Sequence, residues 1–357
     1  MPKEHAFSLR RLLFPLIPAY RLALWLREKR LGTKAEPVRR LRFPVVSIGN
    51  LSTGGTGKTP LTIELAKALT ARGLHVDVLS RGYGRKSELP ARVAVDGTAD
   101  EFGDEPLLIA RQTGVGVYVA NQRYDAGLLA EGDAVALAVL GNEAKPVVHL
   151  LDDGFQHRQL ARDTDILLLD RQDWEDWLLP AGNLREPLQA ARRAGVIAIP
   201  ADDAEFEADL KAWGWEGPVW RLARTMDVPA IYAPVAAFCG IARPEQFFAG
   251  LEAAGLQLAV RTAFRDHHRY TAADVERLLA KAGAQGASAI ITTEKDLVRL
   301  GKLASAFPDS LPLKTAALRI EIEETGEALD QFAYFFKYRK GHRPIQGADG
   351  TRQVDRP

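Results

Sequence analysis

Lys58 and Thr59 follow Gly54, Gly55 and Gly57 in the stretch SIGNLSTGGTGKTP, a spacing suited to holding a nucleoside triphosphate. Glycines let backbone N–H groups turn inward around phosphate oxygens, and a helix that follows presents its positive N-terminal end to them. Lys58 would reach the β- and γ-phosphates of ATP, and the Thr59 hydroxyl would ligate its Mg²⁺. The predicted binding loop is Ser52, Thr53, Gly54, Gly55, Thr56, Gly57, Lys58 and Thr59. Ser52 stands where the usual pattern has glycine, which alters the entry to the loop and leaves the phosphate cradle in place.

A metal bound with ATP needs an acidic partner. VVHLLDD places Asp152 and Asp153 at the end of an apolar run, and Asp170 closes a second run, DILLLD. The adjacent pair is the better candidate, because a lone aspartate at a strand end often caps a helix. Glu105, beside Asp104 in FGDEP, joins Thr59 and the pair as a candidate metal ligand. Asp104 can act on a substrate or simply open a helix. His267 and His268 lie in a loop, since Thr271 and Asp274 form a capped helix start just after them. RGYGRK, with Arg81, Arg85 and Lys86, reads equally as an anion cradle or a basic turn.

These residues need elements to position them. Apolar, β-branched runs recur at VVSIG, HVDVLS, VGVYVA, PVVHLLDD, DILLLD and AGVIAIP, each followed by a loop and often by a helical pattern. That arrangement predicts an α/β fold: a P-loop NTPase-like parallel sheet covered by helices on both faces, with ligands beyond the carboxyl ends of its strands. A change of composition near residue 220 predicts a core at 31–220, a linker at 221–231 and a smaller α/β domain at 232–318. A return segment at 319–339 and a disordered, polar tail at 340–357 would follow. The cleft between the two domains is the expected active site.

The chain has 357 residues and a net charge of +1, so a long polyanion such as nucleic acid is not its evident partner. Its one cysteine, Cys239, sits in apolar VAAFCG and reads as a buried residue in a reducing compartment. Residues 1–30 differ from the rest, because large apolar side chains alternate with Arg10, Arg11, Arg21, Arg27, Lys29 and Arg30. The uncharged run Leu12–Tyr20 is too short to span a bilayer and holds two prolines. The expectation is an amphipathic helix lying at a membrane surface, with the arginines meeting anionic headgroups, and the alternative is a first helix packed on the protein's own core.

Taken together, SIGNLSTGGTGKTP, LSRGYGRK, GDEP, NQRYDAG, LLDDGFQHRQLARDTDILLLD, LLPAGNLREPL, FCGIARPEQF, FRDHHRYT and TTEKD resemble the tetraacyldisaccharide 4′-kinases of lipid A biosynthesis. The resemblance implies phosphoryl transfer from ATP to the 4′-hydroxyl of a tetraacylated glucosamine disaccharide 1-phosphate, at the cytoplasmic face of the bacterial inner membrane. It implies Asp104 as catalytic base, His267 as its partner from the second domain, and Lys58 at the transferred phosphate. Arg81, Arg85, Arg123, Arg185 and Glu186 would face the lipid substrate. Membrane-cycling switch ATPases share a similar loop but carry lysine before the double glycine, where this chain has Thr53. A kinase for a soluble metabolite would keep the site and dispense with the membrane segment.

Overall fold

The computed structural model describes residues 9–55, 57–139, 145–323 and 325–338. Thr56 of the binding loop, residues 1–8 of the N-terminal segment and the predicted tail at 340–357 lie outside the described residues.

Twelve strands form one sheet: β1 Val45–Asn50, β2 His75–Ser80, β3 Ala91–Arg92, β4 Gly116–Val119, β5 Val147–Asp152, β6 Thr164–Leu168, β7 Val196–Pro200, β8 Val219–Asp227, β9 Val235–Cys239, β10 Leu258–Ala263, β11 Ile290–Thr293 and β12 Leu313–Ile322. Their order across the sheet is β10-β9-β11-β12-β8-β7-β6-β1-β5-β2-β4-β3. Among the described strands only the β8/β12 and β3/β4 pairs are antiparallel. The fold is thus mixed α/β around a large, mainly parallel sheet, as the apolar runs predicted.

β1 lies between β5 and β6, and both faces of β1 and β5 are buried, which is why these strands read as unbroken apolar runs. Two consequences follow for the site. The glycine loop after β1 and the acidic pair after β5 emerge side by side at the same edge. The helix Lys58–Ala71 then packs back on the sheet through Leu61, Leu65 and Leu69, one face at a spacing of four. Truncating any of these leucines to alanine costs roughly 2–5 kcal/mol.

The stretch expected as a linker, 221–231, instead contains most of β8. In VWRLARTMD the buried Trp220 and Leu222 alternate with partly exposed Arg221 and Ala223, the period-two pattern of a strand with one wet face. Arginine hid it from a search for continuous apolar runs. β12 spans the expected boundary at residue 318 and pairs with β11 over Leu313–Ala316 and with β8 over Ala317–Ile322, so one strand joins the β9–β12 half of the sheet to the rest.

At the N-terminus a 3₁₀ segment, Leu9–Leu16, runs into the helix Ile17–Arg30. Ile17 is buried in a cluster with Leu51, Phe155 and Leu184, whereas Leu12, Phe14, Leu22 and Trp25 are exposed. Polar contacts tie the segment to loops beside the candidate site. Tyr20 donates to the Arg185 carbonyl at 2.9 Å, Arg27 to the Gln156 carbonyl at 2.6 Å and Arg10 to Asn183 Oδ1 at 2.9 Å. No helix among the described residues is long and apolar enough to cross a membrane.

Candidate active site

Gly57 caps the helix that begins at Lys58 and has φ 94°, a left-handed conformation that glycine adopts without strain. Lys58 Nζ donates to Asn50 Oδ1 at 3.0 Å and to the Gly54 carbonyl at 3.3 Å, and lies 3.6 Å from Asp153 Oδ1. The side chain is thereby folded over the loop that Gly54 and Gly55 open. Thr59 is buried at the first turn of the same helix.

Asp152 ends β5, and Asp153 follows with φ 46°, an unusual backbone for a non-glycine residue that turns it toward the loop. Asp153 pairs with Lys58 and with Arg185, whose guanidinium is 3.3 Å away. Burial alone would raise its pKa; those two cations outweigh burial and hold it below the usual carboxylate range. Asp152 accepts from Thr62 at 3.3 Å and is pushed up to about 7 by burial and by the Glu105 and Asp153 carboxylates. Asp152 and Asp153 end β5 beside the glycine loop, and the Glu105 charge acts on Asp152, so carboxylates of the kind a hard divalent cation takes are at hand. Among the described residues no group of three or more His, Cys, Asp or Glu side chains forms a metal cage, but Mg²⁺ is usually held by one or two carboxylates plus phosphates and water.

Asp104 opens the helix Asp104–Thr113 and is almost fully buried. His267 reaches it from the β9–β12 half of the sheet, with Nδ1 at 3.2 Å from Oδ2. The His267 backbone is also left-handed, φ 56°, and its N–H donates to the Gly240 carbonyl at 3.1 Å. Arg299 Nε donates to Asp104 Oδ2 at 2.6 Å, and its NH1 to Asp296 Oδ1 at 3.0 Å. Burial opposes ionisation of Asp104, yet the bond from His267 and the Arg299 charge keep it far below the usual carboxylate range. The bond to Asp104 in turn raises His267 above the ordinary histidine value.

Lys295, one helical turn before Arg299, pairs with Glu105. Two adjacent acids of one helix therefore meet two cations spaced four apart on another. Sequence reasoning quoted TTEKD but assigned no role to Lys295 or Arg299; the signal was Lys and Arg at that spacing on a helix just after a strand end.

The remaining predicted residues separate. Arg123 is buried, and its charge is felt by Asp153 and by His157, whose pKa falls to about 3 through burial and through Arg123, Arg162, Arg27 and Arg81. Arg185 donates to Asp153 and, at 3.2 Å, to Gln156. Arg85 is turned back on its own loop, donating to the Leu89 and Glu88 carbonyls. Glu186 pairs with Arg193 at 2.7 Å. Asp170 caps the helix Arg171–Glu175, accepting from Asp173 N at 2.8 Å, and His268 pairs with Asp274 at 3.1 Å within the Thr271 capping box. Cys239 is buried, with its thiol pushed up to about 12 by burial and by Asp296.

A mainly parallel α/β sheet whose glycine loop, lysine and acidic pair meet at one edge defines a nucleotide-binding class of protein. The family model for tetraacyldisaccharide-1-P 4′-kinase matches residues 9–334. The chain belongs to the tetraacyldisaccharide 4′-kinase family. A member from Koribacter versatilis is 43% identical over 314 residues, covering 85% of this chain and 92% of that protein. One from Geobacter metallireducens is 38% identical over 343 residues, covering 85% and 96%. The crystal structure of LpxK from Aquifex aeolicus in complex with ATP superposes with a TM-score of 0.69 at 31% identity, covering 93% of this chain and all of that one.

Proposed function

We propose that this chain transfers the γ-phosphoryl group of ATP to the 4′-hydroxyl of a tetraacylated glucosamine disaccharide 1-phosphate, the phosphorylation that its family contributes to lipid A synthesis. The observation that carries the reading is the contact of Asp104 with His267 across the two halves of the sheet, beside the acidic pair and Lys58.

In this reading the core is a P-loop domain, the loop from Ser52 to Thr59 cradles the phosphates, and Lys58 leaves Asp153 to follow the transferred group. Thr59 and Asp152, with Asp153 and Glu105 near, would hold Mg²⁺, which supplies charge neutralisation of the β- and γ-oxygens when bound. Asp104 accepts the proton of the attacking hydroxyl. Its low basicity is tolerable because that proton leaves late in a loose phosphoryl-transfer transition state, where orientation matters as much as basicity. His267 and Arg299 orient the carboxylate. Arg81, Arg123 and Arg185 offer positive charge to the sugar phosphate, whereas Arg85 and Glu186 serve the loops around them.

Four acyl chains keep such a substrate in the bilayer, since each buried methylene contributes about 0.8 kcal/mol. The exposed Leu12, Phe14, Leu22 and Trp25 would enter the lipid surface while Arg11 and Arg21 meet headgroups, placing the site against the cytoplasmic leaflet. The test is ATP-dependent phosphorylation of the acylated disaccharide 1-phosphate in detergent micelles by the intact chain. Failure to form the bisphosphorylated product would overturn the assignment.

A further inference from the structure

Serine at position 52 has a structural counterpart that the phosphate loop alone does not explain. Ser52 and Asn50 are fully buried. The Asn50 side chain donates through Nδ2 to Ser52 Oγ at 3.0 Å, while its Oδ1 accepts from Lys58 Nζ at 3.0 Å. The entry of the loop is pinned as well, by a bridge between Ser52 and Leu184 and by Thr53 N donating to the Asn183 carbonyl at 2.8 Å.

We infer that Ser52 is a positioning residue for Lys58, acting through the Asn50 amide. An amide can present either its oxygen or its NH₂ group to a neighbour, and only the oxygen attracts an ammonium. A hydroxyl has one proton to give and lone pairs to accept with. With Ser52 Oγ accepting from the amide NH₂, the amide turns its oxygen to Lys58, and a buried chain of contacts runs from Ser52 to the lysine. Glycine at position 52 supplies neither group and leaves the amide free to rotate, so the departure from the usual loop sets the lysine's resting place.

The inference rests on Lys58 being the phosphate-binding lysine, and the experiment keeps the two apart. The intact chain and its Lys58→Ala, Ser52→Gly, Ser52→Ala and Ser52→Thr variants are compared by ATP titration, by turnover on the acylated disaccharide 1-phosphate in micelles and by melting temperature. Ser52→Gly and Ser52→Ala should lower kcat by about tenfold to a hundredfold, the scale expected when a reacting group is misplaced by about 1 Å. Ser52→Thr, which keeps the hydroxyl, should return kcat to within about threefold. Parental kcat in Ser52→Gly would overturn the inference. So would a loss that Ser52→Thr does not rescue and that tracks melting temperature, which is the mark of a packing role. ATP affinity and turnover both unchanged in Lys58→Ala would remove the premise instead.

Discussion

Arg299 and Asp104 are bound to each other across 195 residues of sequence, with Arg299 Nε at 2.6 Å from the carboxylate and both side chains 6% exposed. The pair joins the helix Glu294–Leu300, which follows β11, to the helix that Asp104 opens. Asp296 holds Arg299 from the other side, and Tyr270 donates to Asp296 at 2.9 Å.

Arg299→Met should leave an ionised carboxylate buried without its strongest partner and cost roughly 3–5 kcal/mol of unfolding free energy. Asp104→Asn combined with Arg299→Met should recover part of that loss, and not all of it, because Asp296 loses the same guanidinium. Denaturant unfolding of the two single variants and the double variant measures the coupling. Strict additivity would mean that the contact does not carry energy.

Asp104→Asn should lower turnover about a hundredfold to ten-thousandfold, the range for loss of a general base, with ATP affinity largely kept. In the proposed function the carboxylate serves the acceptor and not the nucleotide loop. Turnover and ATP titration on the same preparation check both halves of the expectation; parental turnover would refute the role as base.

A buried cluster on the other side of β5 gives a pH signature. His149 is fully buried, with Nδ1 at 3.4 Å from Asp77 and Nε2 at 3.8 Å from Glu131. Burial disfavours its charged form, but the two carboxylates outweigh burial and raise its pKa above 6.5. A raised folded-state pKa means that the native state binds the proton more tightly than the unfolded chain. The resulting stability is fully present below the ordinary histidine value and is lost as pH rises through the folded value. The advantage of the parent chain over His149→Gln in unfolding free energy should therefore be largest near pH ~6 and shrink toward pH ~9. A gap that widens with pH would contradict the assignment.

The N-terminal segment divides into a part that holds the fold and a part that faces outward. Leu22→Ser and Trp25→Ser remove exposed apolar side chains and should each weaken sedimentation with anionic vesicles by about tenfold or more, leaving melting temperature unchanged. Ile17→Ser removes a buried contact and should lower melting temperature instead. Unaltered vesicle binding in the two outward variants would exclude the membrane role.

Much of the site was legible because its parts are contiguous in sequence. The glycine loop, the Asp152–Asp153 pair, the Asp104 helix start and the loop holding His267 each sit at a strand end or helix start with a local signature. The capping roles of Asp170 and Thr271 were readable for the same reason. What local pattern could not supply was partnership at a distance. Lys295 and Arg299 acquire meaning only through Glu105 and Asp104, and Arg85 offered its charge to a substrate in the sequence but is occupied by carbonyls of its own loop. β8 escaped because one of its faces is wet and carries arginine.

The six-residue β8/β12 pairing gives the molecule a particular mechanics. The half that carries His267, Lys295 and Arg299 is joined to the rest through one strand, because β12 pairs with β11 over Leu313–Ala316 and with β8 over Ala317–Ile322. A turn about the point where β12 changes partner would carry His267 away from Asp104 and leave both sets of strand pairings intact. The contacts of Asp104 with His267 and Arg299, and of Glu105 with Lys295, are therefore clasps that hold the two halves together.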